Sequence, residues 1–204
     1  MFFATLAGCS ALPERPERQM MYDFGIGVVG PAPSDRGAPL PPIALAAVEP
    51  VGALDGSTAV LYRLDYADGR ELRPYSRARW SMPPAQLVRQ RLADRLGQRR
   101  AVLVAGESVA LSRGKEGRPP SVLHVDLEEF SQLFTSPTQS AGLVRLRVTL
   151  ADNTLFGEKL LGQRLVVVQR PASSNDAPGA VRALADATDA AAQDVAEWLE
   201  QMQR

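Results

Sequence analysis

Two stretches of the chain alternate apolar and polar residues with a period of two. In the first, Leu123, Val125 and Leu127 fall on one side and His124, Asp126 and Glu128 on the other. In the second, Val144, Leu146, Val148 and Leu150 oppose Arg145, Arg147 and Thr149. This period predicts β-strands with one dry face and one wet face. If they pair antiparallel, Asp126 and Glu128 meet Arg145 and Arg147 across the outer surface, each pair contributing about 0.2 to 1 kcal/mol. Residues 160–170 complete the meander with a more mixed pattern. Upstream, residues 43–51 and 57–64 read as strands punctuated by Pro50 and Asp55-Gly56, residues 21–24 as a short strand, and residues 101–104 as an interior strand.

Two segments carry the helical period instead. Leu87, Val88, Leu92 and Leu96 recur at helical spacing after Pro83 and Pro84, and Gly97 stops the run. Proline suits a first helical turn because that turn leaves its N–H groups unpaired anyway. Near the C-terminus, Val181, Leu184, Thr188, Ala191, Val195, Trp198 and Met202 step along one stripe, with Asp176 placed to cap the start. Small residues on that stripe let a helix sit close to a sheet. Between residues 61 and 80 the chain reads as a hairpin, with Asp68-Gly69 expected to supply the positive φ angles of a two-residue turn. The expected fold is α+β: a mixed, mainly antiparallel sheet with two helices, at about 83–97 and 178–203, packed on one face.

Composition narrows the class. At 204 residues and 45% hydrophobic content the chain suffices for one sizeable core, and its 23 basic and 23 acidic residues cancel. Nucleic-acid binding, which needs clustered Lys and Arg, is not expected. No apolar run reaches the roughly 18 residues of a membrane-spanning helix. Residues 12–18 are polar and proline-rich and suit an extended tether, and residues 113–120 read as a solvated basic loop.

The inventory of chemistry is short. Gly25-Ile26-Gly27-Val28-Val29-Gly30 matches a dinucleotide-binding pattern letter for letter, but Pro31 and Pro33 follow at once and forbid the helix that must open at the last glycine. A glycine- and proline-rich loop is the reading of those residues. His124 is the only histidine and shares a strand face with Asp126, yet no serine stands in a nucleophile-elbow pattern, so a surface histidine is expected. One histidine and one cysteine do not make a metal site, and no phosphate-binding loop is present. Neither catalytic residues nor cofactors are expected. Tyr62, Tyr75 and Trp80 could line a partner or lipid surface; packing in the core is the plainer reading of the same aromatic residues.

Order and spacing also carry a family resemblance. The Tyr62-Arg63 pair, Tyr75 a dozen residues on, Trp80, and Pro83-Pro84 opening an amphipathic helix resemble the ABC-type transport auxiliary lipoprotein family. The likeness extends, less specifically, from Tyr22-Asp23-Phe24-Gly25 to Val195-Ala196-Glu197-Trp198-Leu199. At the start, Leu6-Ala7-Gly8-Cys9 resembles a bacterial lipobox, in which small residues fit the signal peptidase and the thiol receives the lipid. Cys9 is the only cysteine, so no disulfide can form within the chain. Only eight residues precede it and none is basic, so a longer leader is expected upstream of residue 1. The domain plan is then a truncated signal peptide at 1–8, a lipidated N-terminus and tether at 9–19, and a single α+β domain at 20–204.

The resemblance implies a non-catalytic lipoprotein with palmitate-type acylation at Cys9, on the periplasmic face of the outer membrane, where Ser10 after the cysteine favours sorting. It implies as partners an MCE-domain substrate-binding protein and, through it, an ABC permease and ATPase in lipid transport between the two membranes. Ring-like self-association would suit a multimeric MCE channel. A different reading stays open: a soluble periplasmic ligand-binding domain, for lipid or otherwise, with an incidental cysteine.

Overall fold

The computed structural model describes residues 18–26, 40–104, 119–154 and 157–202. The elements, in chain order, are β1 (Met20–Tyr22), β2 (Ile43–Pro50), β3 (Ala59–Leu64), a one-turn helix α1 (Asp65–Asp68), β4 (Gly69–Trp80), α2 (Pro84–Gly97), β5 (Val102–Val104), β6 (Ser121–Ser136), β7 (Gln139–Thr154), β8 (Gly157–Pro171) and α3 (Ala177–Met202). The expected α+β class is what the chain adopts. Its eight described strands form one mixed sheet, in which β6, β7 and β8 make a long antiparallel meander and the parallel ladders are short.

The 16-residue strand β6 organises this sheet. One of its edges is taken along its whole length by β7. The opposite edge is shared end to end: β2 pairs with Ser121 to Leu127 and β3 with Gln132 to Phe134, both parallel to β6. The chain leaves β6 between these two strands for a short 3₁₀ turn at Gly52–Leu54, with Gly52 at its start and Gly56 just beyond it at positive φ of 64° and 63°, and returns in the same direction.

Two local expectations change. The Asp68-Gly69 turn is not left-handed, since Gly69 has φ −67° and no described non-glycine residue has a positive φ. Asp65–Asp68 instead coils into one helical turn, Asp68 Oδ1 accepts the Arg70 N–H at 3.0 Å, and the Arg63 guanidinium donates to the Gly69 and Arg70 carbonyls. Those side-chain contacts satisfy the backbone that a tight turn would have paired. Residues 102–104 form an edge strand beside β2 rather than an interior one. Because β4 is antiparallel to β3, and β3, β6, β2 and β5 are mutually parallel, the strands flanking α2 run in opposite directions.

The meander behaves as its alternation requires. Leu123, Val125, Leu127, Val144, Leu146, Val148 and Leu150 are buried, and on the wet face Arg147 reaches Glu128 at 2.7 Å. A bulge between Leu127 and Glu129 shifts the phase, which puts Glu129 opposite Arg145 and brings Phe130 into the core. On the dry side α3 lies over β7 and β8 with its Val181, Leu184, Thr188, Ala191, Val195 and Trp198 stripe buried; only Met202 of the expected stripe is exposed. Alpha2 opens at Pro84, buries Leu87, Val88, Leu92 and Leu96, and is tied to α3 by Arg91–Asp189 at 3.0 Å, with Arg99 just beyond its end reaching Glu200 at 2.9 Å.

The approach of α3 to the sheet is closest at Gly142. A Cβ there would stand 2.5 to 2.7 Å from the α3 backbone at Ala183 and Leu184. Gly142→Ala is therefore expected to lower unfolding stability by about 1 to 3 kcal/mol, through overpacking against a helix that cannot yield locally. Gly97→Ala, where an added Cβ meets nothing within 4 Å, should be neutral or stabilising. Urea unfolding of both variants checks the opposite signs.

Candidate functional site

The three aromatic residues singled out in the sequence separate into two clusters. Tyr62 and Tyr75, on neighbouring strands β3 and β4, pack with their rings tilted at 43° and centroids 4.7 Å apart, and Phe134 of β6 meets Tyr62 edge-on at 5.9 Å. Both tyrosines are half-buried on the helix-bearing side of the sheet. Trp80 does not join them. It is 1% exposed, with Phe24 and Phe130 around it at 5.6 and 5.5 Å, and forms part of the core under α2. Its position leaves it no surface to offer a ligand.

The tyrosine pair is joined to the start of α3 through Gln132, a fully buried polar residue on β6. Tyr75 donates its hydroxyl proton to Gln132 Oε1 at 2.5 Å, and Gln132 Nε2 donates to Ser140 Oγ at 2.8 Å. Ser140 in turn donates to Asn175 at 2.7 Å. Beside it, Asp176 accepts the Gly179 N–H at 2.8 Å and the Ser174 hydroxyl at 2.5 Å, which makes it the expected cap of α3. Those two hydrogen bonds, the Ser174 hydroxyl first, hold the Asp176 carboxyl below its ordinary pKa. Burial pushes the Tyr75 phenol well above its ordinary value, and the negative charges of Tyr62 and Asp176 would add to this. A neutral Tyr75 is thus a fixed hydrogen-bond donor. The arrangement holds these groups in fixed positions relative to one another.

A second feature lies beside Phe24. The segment after β1 and the face of α2 enclose a cleft of about 340 Å³, with Phe24, Met82 and Leu87 as apolar lining and Asp23, Arg91 and Asp94 as charged lining. Arg91 crosses from α2, donating to the Phe24 carbonyl at 2.8 Å while its guanidinium sits 5.5 Å from the Phe24 ring centroid. Gly25, with φ +75° and its N–H held by Asp23, turns the chain at the mouth. Sequence reasoning did not find this cleft, because Arg91 reads as an ordinary solvated helix residue. Gln132 was missed too, although a glutamine in phase with buried Phe130 and Phe134 was a usable signal.

His124 is on the wet face, as expected, and contacts Glu158 of β8 at 3.0 Å instead of Asp126, which lies in register with Arg147. Among the described residues no three His, Cys, Asp or Glu side chains are grouped to hold a metal ion, and no helix is long and apolar enough to cross a membrane. Cys9, the tether, the loop over 113–118 and most of the Gly25 to Gly30 stretch lie outside the described residues.

A family model described as the ABC-type transport auxiliary lipoprotein component matches residues 27–196. No curated protein matches the chain by sequence. Among solved structures, a Xanthomonas campestris protein is similar at 16% identity and TM-score 0.65, covering 81% of this chain and 91% of its own. An uncharacterized protein is similar at 14% identity and TM-score 0.62, covering 90% of this chain and 99% of its own. A hypothetical protein from Chlamydia trachomatis is similar at 11% identity and TM-score 0.51, covering 81% and 98%. At these identities the likeness is one of fold.

Two substitutions probe the site. Tyr75→Phe leaves the buried Gln132 Oε1 without its donor and should cost about 1 to 3 kcal/mol of stability in denaturant unfolding. Asp176→Ala should cost about 1 kcal/mol at neutral pH. Because the folded-state pKa of Asp176 is depressed, its electrostatic contribution is present above the ordinary carboxylate pKa and is lost as pH falls through the lower folded value. The gap between wild type and Asp176→Ala should therefore narrow in acid, measured by unfolding across that range.

Proposed function

The chain belongs to the ABC-type transport auxiliary lipoprotein family, and we propose that within it this protein is a non-catalytic docking domain, acylated at Cys9 and held at the periplasmic face of the outer membrane. Family membership makes it a lipoprotein component auxiliary to an ABC-type transporter, and so a membrane-anchored protein of the cell envelope. The finer reading is that its transporter is an MCE-type lipid system: the α+β domain meets an MCE-domain substrate-binding protein and, through it, the permease and ATPase. The observation that carries the reading is that the family match spans most of the chain and follows a lipobox-like Leu6-Ala7-Gly8-Cys9 separated from it by a proline-rich tether.

The physical division of labour is simple. Several acyl chains, at about 0.8 kcal/mol per buried CH₂, anchor durably where one chain binds marginally. The tether then sets the reach of the domain from the bilayer. Tyr62 and Tyr75 are the partner or lipid contacts proposed on the domain, since both are half-buried, Tyr75 is held by Gln132, and Tyr62 packs against Tyr75 and Phe134. Trp80 supports them only as core.

Affinity-tagged full-length chain, extracted from membranes in mild detergent, should co-purify the MCE-domain protein with its permease and ATPase. Cys9→Ala should abolish palmitate incorporation and move the chain to the soluble fraction. A Cys9→Ala variant that labels and partitions like wild type would refute the anchor, and would favour a soluble domain using the cleft between Phe24 and Arg91.

A further inference from the structure

The cleft beside Phe24 is unevenly charged. Among its described lining residues Arg91 is the one cation, and Asp23 and Asp94 are the anions, the first on the segment after β1 and the second on α2. The arginine is already engaged on three sides. Its Nε reaches Asp189 of α3 at 3.0 Å, its Nη2 donates to the Phe24 carbonyl at 2.8 Å, and the guanidinium lies against the Phe24 ring, which leaves the side chain 13% exposed. Asp189 thereby balances its charge. The two lining carboxylates have no such counterpart: Asp23 accepts the Gly25 N–H at 2.7 Å, and among the described residues neither Asp23 nor Asp94 has an ion-pair partner.

The base of the cleft is apolar and firmly held. Leu87 is 2% exposed, and Phe24 and Met82 pack against the same core on one side while lining the cleft on the other. Phe24 is fixed by Trp80, edge-on at 5.6 Å, and by Phe130 at 6.2 Å. Ile26, also in the lining, is 92% exposed, so a ligand seated there would bury apolar surface that now meets water. A volume of about 340 Å³ lies within the range of small-molecule sites, about 300 to 1,000 Å³.

We propose that this cleft binds a small organic cation, an ammonium or guanidinium group carried on an apolar body. The charged end lies with Asp23 and Asp94, and the body against Phe24, Met82 and Leu87. Charge complementarity chooses the class. An anion would meet two carboxylates and an arginine that Asp189 already balances, and a neutral apolar molecule would strip water from the carboxylates with no partner in exchange. A bare divalent cation fits worse. Two carboxylates beside an apolar base are fewer oxygen ligands than calcium takes, and among the described residues no three His, Cys, Asp or Glu side chains are grouped to hold a metal ion. The N–H groups of an organic cation supply the charge-assisted hydrogen bonds that these carboxylates lack within the chain. Neither the anchor nor any transport partner is needed for such binding.

Isothermal titration calorimetry of the full chain in mild detergent tests this with probes of one shape: 2-phenylethylamine, protonated at neutral pH, 2-phenylethanol and phenylacetate. The amine should bind saturably, and the alcohol and the carboxylate about tenfold more weakly or worse. Methylamine, which keeps the charge and lacks the ring, should lose a similar factor. Asp94→Asn, at an exposed helix position, should weaken the amine about tenfold while keeping the wild-type circular dichroism spectrum. Asp94→Lys should turn the preference toward phenylacetate. Absence of amine binding, equal binding of the probes, tighter binding of phenylacetate by the wild type, or an amine affinity that neither substitution moves would overturn the proposal.

Discussion

Close contact between an alanine-lined helix and a glycine in a long strand sets the geometry of this domain. Where α3 crosses β7, its backbone comes so near Gly142 that no side chain fits between them. That distance fixes the height of the helix over the meander, and with it the depth at which Val195, Trp198 and Leu199 are buried. The same approach brings Ser174 and Asp176, just ahead of α3, to the sheet end where Gln132 and Tyr75 wait for partners. A sheet with one wet face depends on such a cover, since its dry face has no other means of leaving water.

Much of this was legible in the residues. The alternation through residues 123–127 and 144–150 gave two strands, their faces and the side on which helices must lie, because a period of two admits only that arrangement. Pro83-Pro84 marked the start of α2 and Asp176 the cap of α3, both through local chemistry that tertiary packing had no reason to override. What could not be read was how distant strands share an edge. That β2 and β3 lie end to end along one side of β6 follows from the length of β6 and from the excursion at residues 51–58, and neither feature is a local pattern. The hairpin of β3 and β4 forms as read, but its two-residue turn does not, because Arg63, held by Glu129 on β6, reaches across to the turn carbonyls beside a helical turn at Asp65–Asp68.

The candidate site was legible only by residue type. Tyrosine and tryptophan at 62, 75 and 80 drew attention for one reason and ended in two environments, since β4 carries Trp80 under α2 while Tyr75 lies against Tyr62. Gln132 links that pair to the residues just ahead of α3 across 42 residues of sequence, a distance over which spacing says nothing. The family match identifies a transport auxiliary lipoprotein component, and the hydrogen bonds around Gln132 hold Tyr75 and the residues ahead of α3 in fixed positions.

The account stands or falls on whether the chain is a tethered domain at all. Intact-mass measurement of protein recovered from membranes of the native cell addresses this directly. The account predicts a mature chain beginning at Cys9, heavier than its sequence by a diacylglyceryl group and further acyl chain. A chain that keeps the residues before Cys9 and carries a free thiol there would contradict it.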